Sequence, residues 1–177
     1  MTDSRFGDGV SRRSFVKAAS AAALVLTAKA VINPIEAWGM ETKGLAPETV
    51  QALIQAARDI YPHDRVPDRF YAVAIKDYDV KAATDPKIKT LIEGGIAELN
   101  SAAKQAHGTD YVGVGWEEER VALLRKIEGT PFFKTLRGGL VTGLYNQKEV
   151  WPLFGYEGES ASKGGYIKRG FDDITWI

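Results

Sequence analysis

Apolar residues recur at helical spacing along most of this chain, and prolines, glycines and capping residues mark where each run starts and stops. Pro47 stands at a first helical position. Val50, Leu53, Ile54, Ala57, Ile60 and Tyr61 follow at three- and four-residue steps up to Pro62, which predicts a helix ending there. A weaker pattern over 67–83 puts Phe70, Val73, Ala74 and Tyr78 on one face. Asp85-Pro86 then combines an N-cap with a proline in the first turn, and Ile88, Leu91, Ile92, Ile96, Leu99 and Ala103 carry the stripe on to His107-Gly108. Gly94-Gly95 interrupts this helix. Each glycine costs about 1 kcal/mol against alanine, which predicts a kink or the close approach of another backbone.

Residues 111–115 form a glycine-spaced connector, and helical periodicity resumes over 116–127 through Val121, Leu124 and Ile127. Thr130-Pro131 opens the last long helix, where Phe132, Phe133, Leu136, Leu140, Val141 and Leu144 make a broad apolar face thinned by Gly138, Gly139 and Gly143. No segment alternates as a half-buried strand does. The expected fold class is therefore mainly α, a small helical domain over 45–151. Residues 152–177 break the pattern: five glycines and five aromatics (Phe154, Tyr156, Tyr166, Phe171, Trp176) occur in 26 residues with no period. Disordered segments are poor in aromatics, so a long irregular tail with a function is expected here.

The N-terminus has a different logic. Residues 11–17 read Ser-Arg-Arg-Ser-Phe-Val-Lys, an apolar run follows over 18–27, and Ala28-Lys29-Ala30 closes it. A charged region, a short apolar region and a small-residue cleavage site in this order make a secretory signal over 1–30, followed by a linker over 31–44. Arg12 and Arg13, with Phe15 and Lys17, give it the twin-arginine form, an address that the twin-arginine translocase reads. The apolar run is about half the roughly 20 residues a helical span needs, so it is no lasting anchor. Export to the periplasm is expected.

Composition narrows the chemistry. With 177 residues, 45% of them hydrophobic, the chain can build one ordinary core. It has no cysteine, which removes thiolate nucleophiles, iron–sulfur ligation, zinc–thiolate sites and covalent c-type haem attachment. The formal net charge is zero, but without residues 1–30 there remain 18 basic and 21 acidic side chains, a net charge of −3. No excess of cations is left for phosphates, and nucleic acid is not an expected partner.

Catalytic templates are missing as well. No Gly-x-Ser-x-Gly elbow occurs, and the glycine spacings at Gly113-Val-Gly115 and Gly138-Gly139 follow no strand and cradle no dinucleotide. His63 stands near Asp59, Asp64 and Asp68, which leaves open a metal-dependent enzyme that works alone, although the spacing fits no specific ligand set. As a third class, Trp151, Tyr156, Tyr166 and Trp176 would serve a carbohydrate-binding module by stacking on sugar rings. The residue-level expectation is of no catalytic, cofactor-binding or metal-ligating set in this chain.

The run Thr130-Pro-Phe-Phe-Lys-Thr-Leu-Arg137, then Gly143-Leu-Tyr145, Val150-Trp-Pro-Leu-Phe-Gly-Tyr-Glu-Gly158, Gly164-Gly-Tyr166 and Gly170-Phe-Asp-Asp-Ile-Thr-Trp176 resembles the gluconate 2-dehydrogenase subunit 3 family. The twin-arginine segment and Tyr61-Pro-His-Asp64 fit the same resemblance. It implies a non-catalytic small subunit of a periplasmic complex. In such a complex a glucose–methanol–choline-type large subunit holds FAD and oxidises a sugar, sugar acid or glycoside, and a c-type cytochrome takes the electrons. The small subunit carries no cofactor and supplies the export signal. The tail over 152–177 is then the expected docking surface for the flavoprotein, with Trp151, Tyr156, Gly164, Gly165, Tyr166, Phe171, Asp172, Asp173 and Trp176 as its contact residues.

Overall fold

Five α-helices occupy the described residues, 41–167, of the computed structural model: α1 (Pro47–Ile60), α2 (Asp68–Ala82), α3 (Pro86–His107), α4 (Glu117–Lys126) and α5 (Pro131–Tyr145). Short 3-10 turns follow at Tyr111–Gly113, Trp151–Phe154 and Ser160–Lys163. Among the described residues there is no strand, and the chain is mainly α, as its periodicity predicts. The described residues all fall in the second of the two units into which the chain divides, Met40–Ile177. Arg12, Arg13, Phe15 and Lys17 lie outside the described residues, as do Phe171, Asp172, Asp173 and Trp176.

The helix ends have local causes. Prolines sit in the first turns of α1, α3 and α5, where a missing N–H costs nothing. The Asp85 carboxylate accepts from the Lys87 N–H at 2.9 Å, and the Thr130 hydroxyl from the Phe133 N–H at 3.2 Å. Gly108, at φ +73°, takes the left-handed conformation that stops α3.

The core forms where α2 packs against α1, α3 and α5, while α1 also meets α3, α4 and α5. Val50, Leu53, Tyr71, Ile75, Ile92, Leu99, Leu136, Leu140 and Leu144 are all fully buried there. Each such side chain contributes on the order of 1.5–3 kcal/mol relative to exposure. Two stripes differ from the sequence expectation. Val73 of α2 is 55% exposed, because the helix buries the pairs Phe70/Tyr71, Ala74/Ile75 and Tyr78/Asp79, and Val73 falls on the far side of that stripe. In α4, which spans both α1 and α3, adjacent Leu123 and Leu124 are buried while Val121 and Ile127 are only half-buried.

The glycines of α3 and α5 explain how the helices approach. Helix α3 runs unbroken through Gly94-Gly95. A Cβ on Gly95 would come within 2.1 Å of the Phe132 ring, whereas one on Gly94 would meet nothing within 4 Å. The close neighbour is therefore an aromatic side chain of α5 where a second backbone was one of the two expectations. Backbone contact occurs one interface away, where a Cβ on Gly143 would lie 2.8 Å from the Ala74 carbonyl oxygen.

The start of the body is fixed by a buried carboxylate. Asp79, 3% exposed, accepts from the backbone N–H groups of Lys43 (2.8 Å), Gly44 (3.0 Å) and Leu45 (2.9 Å). Three donors on one carboxylate neutralise its desolvation cost. They also tie residues 43 and 44, read from sequence as the end of a linker, to the last turn of α2.

Candidate functional site

The end of α5 and the turn between α1 and α2 meet in a cluster of rings. The His63 Nε2 lies 2.7 Å from the Tyr145 hydroxyl. The ring of Phe154, in the first turn after α5, stands edge-on to His63 at 4.9 Å, and Tyr61 stands edge-on to Tyr145 at 5.8 Å. Partial burial lowers the pKa of His63 below the ordinary histidine value, against the opposing charge of Asp64. Burial, and next to it Tyr61, raises that of Tyr145. Burial thus disfavours the charged imidazolium, and one ring nitrogen is engaged by a tyrosine hydroxyl.

The tail begins from this cluster. Trp151 is half-buried, and its indole N–H donates to the Tyr145 carbonyl at 2.7 Å. The Tyr156 N–H donates back to the Trp151 carbonyl at 3.0 Å, and the Tyr156 ring stands edge-on to the indole at 5.2 Å. Beyond that anchor the apolar surface stays open: Phe154 is 46% exposed, Tyr156 47%, Tyr166 61% and Ile167 86%. Gly164 and Gly165 both have positive φ, +83° and +78°, and turn the chain just before Tyr166. The described part of the expected docking set is thereby brought to one stretch, with Trp151 as its fixed end.

Of the three carboxylates that sequence proximity grouped with His63, Asp59 and Asp68 are engaged elsewhere, and Asp64 stays beside the imidazole. Asp59 is 5% exposed and pairs with Arg120 through Nε–Oδ2 (2.8 Å) and Nη2–Oδ1 (3.0 Å); the Tyr111 hydroxyl donates to Oδ2 at 2.6 Å. Hydrogen bonding to Asp59 raises the pKa of Arg120, and burial, together with the charge of Asp59, raises that of Tyr111. Asp68 pairs with Arg58. Among the described residues no three His, Asp or Glu side chains stand together as a metal-ligand group. Asp59 and Asp68 are therefore not free to join His63 as ligands. Around the Trp151 ring stand Tyr156, T-shaped at 5.2 Å, and Lys148, whose ammonium lies 5.8 Å from the ring centre.

A feature absent from the sequence reading is a groove of about 760 Å³ bounded by the end of α1 and by α4 and α5. Apolar and polar side chains share its lining, with Arg125, Lys134 and Arg137 and two carboxylates, Asp59 and Glu128, among them. The only sequence signal for it was the width of the α5 face. Phe132, Leu136, Leu140 and Leu144 suffice for the core, and Phe133 and Val141 are left over, half-buried and 49% exposed respectively. No helix among the described residues is long and apolar enough to cross a membrane.

Comparison of the chain with models of known protein families, with curated proteins and with solved structures found no match.

Proposed function

We propose that this chain is a non-catalytic small subunit that escorts a glucose–methanol–choline-type flavoprotein through twin-arginine export and stabilises it in a periplasmic sugar, sugar-acid or glycoside dehydrogenase complex. FAD belongs to the large subunit, and a c-type cytochrome accepts the electrons. The observation that carries the reading is the exposed aromatics at the start of the tail: Phe154, Tyr156 and Tyr166 each leave about half or more of their surface exposed, and Tyr156 packs on the anchored Trp151. Aromatic side chains on a rigid mount are what interface anchors are made of, and each buries roughly 150–250 Å² when covered. The resemblance of residues 130–176 to the gluconate 2-dehydrogenase subunit 3 family supplies the kind of partner. Gly164, Gly165, Phe171, Asp172, Asp173 and Trp176 continue the docking surface in this reading.

The test is a pull-down from a periplasmic extract, followed by FAD analysis of whatever protein comes with this chain. The intact chain is expected to bring down the flavoprotein with FAD and dye-linked sugar oxidation, and to show neither flavin absorbance nor activity alone. A chain ending before Gly164, checked for retained helical circular dichroism, is expected to lose the partner. Oxidation of sugar by the isolated chain, or sugar binding to it without any protein partner, would replace the subunit reading with the enzyme or the carbohydrate-binding module.

A further inference from the structure

Asp79 sits where a carboxylate does little for its own helix. It lies in the last turn of α2, at the negative end of the helix dipole, and its side chain is buried. Among the described residues no cation pairs with it. Its oxygens are met instead by the N–H groups of three successive residues, Lys43, Gly44 and Leu45. Gly44 also lies backbone on backbone against the end of α2, since a Cβ there would stand 2.2 Å from the Ala83 nitrogen and 2.5 Å from the Ala82 carbonyl carbon. Leu45, the one large apolar side chain of residues 41–45, is buried.

The flanking helices hold themselves. The Ala83 N–H donates to the Asp79 carbonyl at 3.3 Å and the Asp85 N–H to that of Lys81 at 2.8 Å, while α1 opens with the Val50 N–H on the Ala46 carbonyl at 3.1 Å. None of these bonds involves residues 41–45. A segment joined to the body by one carboxylate, one close backbone contact and one leucine has the character of a unit that opens locally, at a lower free energy than the core.

We propose that residues 41–45 are a strap that opens and closes over the end of α2 while the five helices stay folded, with Asp79 as its catch. The strap's place in the chain gives it an effect. It stands at the start of the unit Met40–Ile177, so a pull or a cut on the residues before it reaches the strap before it reaches α1. Shut, the strap keeps the N–H groups around the Lys43–Gly44 bond engaged, and a protease cannot draw that stretch into its cleft. Open, it gives up that bond with α1 intact. The catch depends on charge, because the bonds to a carboxylate are charge-assisted and an amide in its place offers a single neutral oxygen. The strap belongs to the helical body and does not depend on what partner the chain has.

Amide hydrogen exchange in the full-length chain reads the strap directly. The amides of Lys43, Gly44 and Leu45 are expected to be protected and to exchange together, about tenfold or more faster than those of Leu53 in α1 and Leu99 in α3. Asp79→Asn is expected to speed these three by about tenfold or more and to leave Leu53 and Leu99 unchanged. Gly44→Ala keeps the charge but drives a methyl group into the Ala83 backbone, and is expected to speed Lys43 and Leu45 in the same way. Lys43 has an exposed side chain, and trypsin is expected to cut after it about tenfold faster in Asp79→Asn, with no faster cutting after Lys89 or Lys104 in α3. Strap amides that exchange no faster than the core, strap amides without protection in the native chain, or variants that speed strap and core alike or neither would each overturn the proposal.

Discussion

Asp59 is a buried carboxylate on which donors from three other side chains converge. Its two oxygens accept from Arg120, from the Tyr111 hydroxyl and from the Gln55 amide at 3.1 Å, and its side chain is 1% exposed against 12% for Arg120. Removing one member of a buried pair leaves the other charge uncompensated, which costs about 3–5 kcal/mol. Asp59→Asn, nearly the same shape without the charge, is therefore expected to lower unfolding stability by about 3 kcal/mol or more. Tyr111→Phe, which leaves the ion pair in place, should cost only about 1 kcal/mol. Urea midpoints of the two variants check the ranking, and similar losses would mean that hydrogen bonding rather than charge holds the network. In the sequence, Asp59 pointed to His63, four residues away, because no local pattern links it to Tyr111 or Arg120, 52 and 61 residues away. A weaker signal was present. Asp59 and Asp79 both fall on the apolar stripes of their helices, and a carboxylate there must find donors from another element.

At the scale of elements the sequence was most legible where backbone chemistry acts locally. All five helices lie where apolar spacing predicts, and α1, α3 and α5 start at their prolines, since a proline in a first turn or a left-handed glycine constrains the chain without tertiary help. Faces were less legible, because they depend on which neighbours arrive: Val73 faces solvent, and Phe133 and Val141 face the groove. The glycine pair of α3 tests this distinction directly. Gly94→Ala fills open space in a helix interior and is expected to stabilise the protein by about 0.5–1 kcal/mol. Gly95→Ala puts a methyl group 2.1 Å from the Phe132 ring, which is buried and cannot move away without repacking α5. A loss of about 1–3 kcal/mol is expected. Thermal unfolding of the two single variants should move in opposite directions; a shift of the same sign would show that helix propensity rather than the α3–α5 contact governs this pair.

For the whole molecule, the fold and the proposed role come from different parts of the chain. The helices follow from residues 45–151, whereas the proposed role rests on the first 30 residues and on the tail, whose meaning lies in other proteins. The paired arginines separate two physical explanations of export. If residues 11–17 worked only through positive charge, lysine would serve as well, because it keeps the charge. A receptor that reads the planar, multiply donating guanidinium groups would reject it. Arg12→Lys together with Arg13→Lys leaves the net charge unchanged and all of residues 41–167 untouched, so folding of the helical body gives no competing cause. In the escort reading the flavoprotein folds around FAD in the cytoplasm and crosses only as cargo of this chain. The double variant is therefore expected to leave both proteins in the cytoplasm, with flavin absorbance and dye-linked sugar oxidation recovered from that fraction and lost from the periplasm. Retention of the small subunit alone, with the flavoprotein exported in full amount, would keep the twin-arginine address and discard the escort role.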